Sequence, residues 1–329
     1  MLKSAGFLAC CTLALGFTLQ PVAAQQRGNV HAYPAKAVRF VVGFPPGGGN
    51  DTIARMVGQK LSARIGQAIV IDNRPGAGGI VAGELTAHAP ADGYTILMMS
   101  SSLTIQRLIK HDLPYDPIAD FAGVARLAAY RSVLVTHPSV AATSVRELVA
   151  LAKAKPGTLN FASSGYAVGS HLAGELFKIA AGVDITHVPY KGTSPASNDL
   201  LSGRIQLMFA PVVPLLQHVQ SGRLRALGVT SLTRSRILPE LPTISEAGVP
   251  GYEFVGWYGV VVPVRTPPEI IGRLNAGIIE VMQSPEIGVR LDAEDMEFIA
   301  AAPAQFNAVR AAEVTKWAKI LKQMPLRTE

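Results

Sequence analysis

Val38-Arg39-Phe40-Val41-Val42-Gly43-Phe44-Pro45-Pro46-Gly47-Gly48-Gly49-Asn50-Asp51 is the stretch that decides the fold. Its first five residues form a short run with the β-branched content of a strand. Pro45 to Gly49 is a turn, and beyond it Ile53, Met56, Val57 and Leu61 recur at helical spacing. A strand that passes through a glycine turn directly into a helix is the repeating unit of α/β proteins. Asp51 sits where a helix begins and is expected to cap it. The turn lacks the Gly-Lys-Ser/Thr of a nucleotide loop and the G-x-G-x-x-G of a dinucleotide fingerprint, so neither phosphate motif is present.

The unit recurs along the chain. Strands are expected at 68–71, 94–99, 132–136, 159–162, 185–188, 205–209, 224–230 and 254–262. Helices are expected after Thr143 or Ser144, over 169–181 and 195–201, from Pro267-Pro268 to about residue 283, and from Pro303 to about residue 322. Alternation of this kind predicts a mostly parallel α/β architecture, and 329 residues are enough for two α/β lobes.

Composition narrows the class. Apolar residues make up 49% of the chain and charged residues 16%, a balance that packs a core. Residues 1–24 read as a secretory signal: Lys3, an apolar run from Ala5 to Leu19, Pro21, then Val22-Ala23-Ala24, with cleavage expected after Ala24. Both cysteines, Cys10 and Cys11, lie in that segment, so the mature chain has no thiol for a disulfide or a metal, and the expected compartment is the periplasm. The net charge of +7 falls by one when Lys3 is removed. The remaining basic residues are scattered and form no stripe interleaved with aromatics, so nucleic-acid binding is not expected. Such a field attracts organic anions.

Chemistry is expected at the strand ends. The loop at Phe44, Gly48, Gly49, Asn50 and Asp51 offers free N–H groups at a helix start. Ser100-Ser101-Ser102, Ser163-Ser164-Gly165 and Tyr190-Lys191-Gly192 add hydroxyls and small residues at three more strand ends, and together they describe a cleft that satisfies a carboxylate with uncharged donors. His171 lies near a helix N-terminus, where it is expected to donate to a ligand or a neighbour. Ser164 with His171 is the one nucleophile pair, but no G-x-S-x-G elbow surrounds it. His171 and Glu175 are four apart on one helix face, a single pair without a third metal ligand. No cofactor and no metal are expected.

The motifs resemble the Bug family of periplasmic solute receptors, the binding components of tripartite tricarboxylate transporters. The resemblance runs through Tyr33-Pro34, Phe44–Gly49, Asn73-Arg74-Pro75-Gly76-Ala77-Gly78-Gly79, Asp92-Gly93-Tyr94-Thr95 and Leu113-Pro114-Tyr115-Asp116-Pro117. It continues in Ser170-His171-Leu172-Ala173-Gly174-Glu175, His187-Val188-Pro189-Tyr190-Lys191-Gly192, Leu224-Arg225-Ala226-Leu227 and Leu241-Pro242-Thr243-Ile244-Ser245-Glu246. It implies a type II periplasmic-binding-protein fold: two α/β lobes, 33–130 plus 253–329 and 131–252, joined by a two-strand hinge at Ser132–Thr136 and Tyr258–Val262, with a ligand cleft between them. It also implies a non-enzymatic, monomeric receptor for a small organic acid, with a membrane permease as partner. The Phe44–Asp51 loop is one wall of the cleft. Ser163, Ser164, Gly165, Ser170 and His171 form the other, with Tyr190 and Tyr258 at the rim. Ala210 stands where many relatives carry an acid, which argues against an amino-acid ligand. The alternatives are an orphan receptor that signals to a membrane sensor domain, and a secreted hydrolase using Ser164 or a metal at His171 and Glu175.

Overall fold

The computed structural model describes residues 33–110 and 112–322; the signal segment and the chain beyond residue 322 lie outside the described residues. From Pro34 onward the chain forms one unit. The strands are β1 (Val38–Val42), β2 (Ile69–Asn73), β3 (Thr95–Ser100), β4 (Phe121–Thr136), β5 (Asn160–Ser163), β6 (Thr186–Pro189), β7 (Leu207–Pro211), β8 (Arg225–Val229), β9 (Val255–Pro263) and β10 (Met296–Phe298). The helices are α1 (Gly49–Ile65), α2 (Ile80–Ala87), α3 (Ser101–Ile105), α4 (Val145–Ala154), α5 (Gly169–Ala181), α6 (Thr193–Leu201), α7 (Leu216–Gln220), α8 (Pro268–Met282), α9 (Pro285–Ala293) and α10 (Pro303–Leu321).

Two sheets share one long strand. In the first sheet the order is β2-β1-β3-β9-β4, with β10 on the far edge of β4. In the second, β4 pairs with β7 and β8, and β5 and β6 extend the sheet beyond β7. The hand-over lies inside β4. Phe121 to Arg131 pair with β9, while Ser132 to Thr136 pair with β7 and β8. The return crossing is short: Thr230 N–H donates to the Ser132 carbonyl (2.9 Å), and Phe254 N–H to the Thr230 carbonyl (2.8 Å).

Three expectations need correcting. The sheet is mixed rather than mostly parallel. Pairs β1–β2, β1–β3, β5–β6 and β5–β7 are parallel, but every pairing of β4 and β9 is antiparallel. β4 runs through both halves, and β9 lies antiparallel beside its first part; antiparallel neighbours need no helical crossover. The strand expected at Ser132–Thr136 is sixteen residues long and starts at Phe121. Tyr258–Val262 does not face Ser132–Thr136; it lies within the first sheet, between β3 and the first half of β4.

Each sheet is packed with helices. The first-sheet core joins Val41, Leu97, Trp257 and Val261 to Phe306 of α10. Phe161, Phe209, Phe177 of α5 and Tyr252 form the core on one face of the second sheet, and Trp317 of α10 reaches it against Phe254. Val135, Met208 and Ala210 pack under α6 on the other face. Among the described residues, no helix is long and apolar enough to cross a membrane.

Candidate functional site

The first wall grows out of β1. The chain leaves Val42, turns at 43–48 and enters α1 at Gly49 with Gly48 extended and no side-chain cap. Asp51 is therefore not the cap expected from its position; it is the third helical residue. Its buried carboxylate reaches back to accept from Gly47 N–H (2.9 Å), and also from Arg55 Nε (2.9 Å) and Asn73 Nδ2 (2.9 Å). Burial opposes its charge, but these bonds outweigh it and hold the carboxyl below its ordinary value. Asp51 thus fixes the turn, and Asn73 ties in the Phe44 carbonyl (3.0 Å). The N–H groups of the first helical turn have no partner within the helix.

The second wall has the same plan. β5 ends at Ser163, the chain turns, and α5 begins at Gly169 after an extended Val168, again without a side-chain cap. Ser163 is fully buried; its hydroxyl contacts the Gly165 carbonyl (2.7 Å) and His187 Nε2 (2.6 Å). Ser164 and Ser170 remain partly exposed. Ser164 N–H donates to Ser170 Oγ (3.0 Å), and the two hydroxyls are 3.1 Å apart. Tyr190 N–H and Gly192 N–H bond the carbonyls of Ser163 and Ser164, so the loop after β6 lies against this turn.

His171 accepts a hydrogen bond on Nδ1, which leaves its proton on Nε2. It is 2% exposed, and its Nδ1 accepts from Ala167 N–H (3.0 Å), which holds Ala167 in the left-handed region at φ 58°. Its ring stacks on His187 at 3.9 Å. Burial, the facing His187 and Lys178 push the His171 imidazole down to about 3, and burial and Lys178 push His187 down to about 4. Both rings are neutral at neutral pH, and they brace the loop from behind. Neither ring bonds Ser164, and Glu175 faces Lys178 at 3.0 Å while lying 3.9 Å from His171. Among the described residues no group of three His, Cys, Asp or Glu could hold a metal.

Between the walls lies a pair of tyrosines. Tyr130 of β4 and Tyr258 of β9 stack with centroids 4.7 Å apart. A Cβ at Gly49 would collide with the Tyr258 hydroxyl, and one at Gly169 would lie 2.8 Å from that of Tyr130. The first residue of each helix is thus pressed against one phenol, and the two helix starts meet across the stacked rings. Burial raises the Tyr130 phenol to about 12 and lifts Tyr258 well above its ordinary value, so both stay protonated. Ser101, 5% exposed, takes a long bond from Trp257 N–H (3.4 Å), and Ser100 pairs with Ser102 (2.9 Å), both buried.

A family model described as "Tripartite tricarboxylate transporter family receptor" matches residues 53–326. The chain belongs to this receptor family. It is 36% identical to protein BugT of Bordetella pertussis over 297 residues, 90% of this chain and 91% of the relative. Among solved structures, Rpa4515 of R. palustris with adipate superposes with a TM-score of 0.84 at 37% identity, over 88% of this chain and 97% of that one. MatC from Rhodopseudomonas palustris, with bound malate, superposes with a TM-score of 0.81 at 28% identity, over 88% and 99%. The fold is that of the periplasmic binding proteins, two α/β lobes around a shared strand.

Phe44, Gly48, Gly49, Asn50 and Asp51 lie together at the turn from β1 into α1, and Ser163, Ser164, Gly165, Ser170 and His171 at the turn from β5 into α5. Ser100 pairs with Tyr258 across β3 and β9, and Ser101 follows it. Tyr190 adjoins the second group through its backbone, while its hydroxyl donates to Asp199 (2.8 Å); Ala210 is 1% exposed in the core under α6. Tyr130 and Gly169 adjoin these residues without having been singled out in the sequence. Tyr130 falls in the unrecognised half of β4, and only its diagonal pairing with Tyr258 marks it. Gln106, 1% exposed, donates to the Gly78 carbonyl (2.8 Å). Gly78 in turn approaches Val168 and the Tyr166 carbonyl, so here the loops of the two halves touch.

Proposed function

We propose that the protein is a periplasmic solute receptor that binds a small organic carboxylate between its two lobes and delivers it to a membrane permease of the tripartite tricarboxylate type. The observation that carries this reading is the convergence of α1 and α5. Two uncapped helix starts from opposite sheets meet at the stacked Tyr130 and Tyr258. Free N–H groups and the positive helix ends favour an anion there, and Ser164 and Ser170 add neutral donors. The carboxylates named in the two solved relatives support the same class of ligand.

In this reading the lobes divide at about residues 130 and 253, as the resemblance implies, and the ligand favours the closed arrangement by contacting both walls. Phe44, Gly48, Gly49, Asn50, Ser100 and Ser101 serve from the first lobe; Ser164, Gly165 and Ser170 serve from the second. Asp51, Ser163 and His171 fix the loops. An exported chain cleaved after Ala24 suits this role.

Isothermal titration of the mature protein with a panel of mono-, di- and aromatic carboxylates tests it. One carboxylate is expected to bind with a single site and to be recovered unchanged. Gly169→Val, which places side-chain carbons against Tyr130, is expected to abolish that binding with the fold retained. Turnover of the bound compound, or binding indifferent to Gly169→Val, would refute the assignment.

A further inference from the structure

A buried acid fastens the two halves where the chain crosses between them. Asp295 lies between α9 and β10, on the side of the first sheet, and the next residue, Met296, pairs with Tyr130. Its Oδ1 accepts from the Arg131 guanidinium (2.8 Å) and from the Arg236 N–H (3.2 Å). Arg131 is the last β4 residue paired with β9, and at Ser132 the strand passes to the second sheet. Arg236 lies in the segment after β8, where Ile237, Leu238 and Leu241 pack against the core of the second sheet. The Arg236 guanidinium also meets Asp292 of α9. One short stretch of the first half thus grips both the point where β4 changes sheets and a segment that belongs to the second half.

The grip is incomplete. The ion pair is buried, with the Asp295 side chain 1% exposed and that of Arg131 11%, yet it runs through one carboxylate oxygen. Among the described residues, Asp295 Oδ2 and Arg131 Nε have no hydrogen-bond partner. A bidentate pair would engage both. Two buried charges with idle donors and acceptors recover little of their desolvation cost, so such a pair is held near balance. Asp295 also sits in the left-handed region, at φ 51°, which is uncommon for a residue other than glycine. The crossing itself is not filled. A cavity of about 170 Å³ is lined from both connections, by Tyr130 and Arg131 of β4 and by Ser231, Thr233, Glu253 and Val255 of the return. Protein interiors pack to crystal density, and a void at a crossing leaves room for the halves to turn.

We propose that Asp295 is a hinge clasp: its bonds to Arg131 and Arg236 hold the halves in the arrangement in which the Gly78 loop meets Tyr166 and Val168, and their release lets the halves swing apart. Asp295 belongs to one half and Arg236 to the other, so a swing between the halves changes their separation. This deepens the closure step of the receptor reading and rests on it, but it is tested without any ligand.

The test is double electron–electron resonance on the ligand-free mature protein. Residues 25–329 contain no cysteine, so nitroxide labels attach only at introduced positions: Ala63→Cys, exposed on α1 of the first half, and Ala150→Cys, exposed on α4 of the second. Asp295→Asn keeps the side-chain shape and a residue that tolerates the left-handed region. Arg131→Gln removes the same pair from the other side, so either variant carries the test if the other fails to fold. In each, a second interlabel distance is expected to be populated on the order of tenfold more than in the wild type, with a larger radius of gyration in small-angle scattering. Gly174→Ala, strained against Phe161 in the core of the second half, controls for general loosening and is expected to match the wild type. Circular dichroism confirms that each variant folds. A wild-type distance distribution in the folded clasp variants, or an equal change in Gly174→Ala, would overturn the proposal. Either result leaves the receptor reading to the carboxylate titration above.

Discussion

Acidifying the protein from about pH 7.5 to about pH 5 perturbs the packing behind the Ser164 loop, because His171 and His187 are stacked there in neutral form. In the unfolded chain each imidazole has its ordinary value of about 6.5. In the folded protein burial holds them down, to about 3 for His171 and about 4 for His187. Between those values the unfolded state binds protons that the folded state refuses. Stability is therefore full above about pH 6.5 and is lost as pH falls toward the folded values. At about pH 5 each ring is some 1.5 pH units below its unfolded value, which costs about 2 kcal/mol at about 1.4 kcal/mol per unit. His187 keeps part of its ring in solvent, so the pair together costs about 3–4 kcal/mol. The structural route is explicit. A proton on His171 Nδ1 displaces the Ala167 N–H bond, and a charge on His187 lies beside Lys178 and a second ring.

Urea unfolding followed by the fluorescence of buried Trp257 and Trp317 measures this at both pH values, in the wild type and in a His171→Gln/His187→Gln double variant. The wild type is expected to lose about 3–4 kcal/mol more than the variant across the interval. The comparison matters because Glu294 acts in the opposite sense. Burial raises its carboxyl, so its contribution is present at low pH and lost as pH rises through its folded value. That term is common to both proteins and cancels. Equal losses in the two proteins would refute the reasoning.

Three further outcomes follow from the packing. Gly174→Ala is expected to destabilise by about 1–3 kcal/mol or more, because the new Cβ would collide with the Phe161 ring; chemical denaturation reads it. Gly272→Ala, on the exposed side of α8 with nothing within 4 Å of the added carbon, is expected to stabilise by about 0.5–1 kcal/mol; thermal melting reads it. Asp51→Ala leaves Gly47 N–H, Arg55 and Asn73 without their acceptor. It is expected to cost about 2–3 kcal/mol and to weaken carboxylate binding through the loosened turn, with denaturation and titration run on the same sample.

Much of the fold was legible because its signals are local. The residues of β1 and α5 coincide with their expected ranges, since a β-branched run and an amphipathic stripe bounded by Gly and Pro are complete within a short window. Ser144 caps α4 as its position implies. The first half of β4 was not legible, for a packing reason. Ala122, Gly123, Ala125, Ala128 and Ala129 do not read as strand residues, yet small side chains are required there. A Cβ at Gly123 would lie 2.8 Å from Phe306 and Asn307, and the Val124 carbonyl accepts from Asn275 of α8. The strand is small because helices press on it, and this pressure leaves no periodic trace in the sequence. The short elements α3, α9 and β10 were missed because each depends on what it packs against.

The site divides along the same line. Its glycine and serine turns follow strands directly, as read from the sequence. What those turns serve was hidden, because it depends on sheet register. Tyr130 and Tyr258 stand 128 positions apart in the chain, and they stack only because β4 and β9 pair with Ala128 opposite Tyr258 and Tyr130 opposite Gly256. That register explains two glycines which otherwise look like ordinary turn residues. Gly49 and Gly169 each open a helix after an extended residue, and each lacks a side chain exactly where a phenol arrives. The two halves of the molecule thus repeat one device: strand, turn, and a helix start bared to a tyrosine from the paired strands β4 and β9. Because those tyrosines stack on each other, each helix start is packed against a ring held by β4 or β9 and not by its own loop. In the proposed receptor, substitutions in the loops are expected to change what is bound, and substitutions at Tyr130 or Tyr258 to change how the two helix starts meet it.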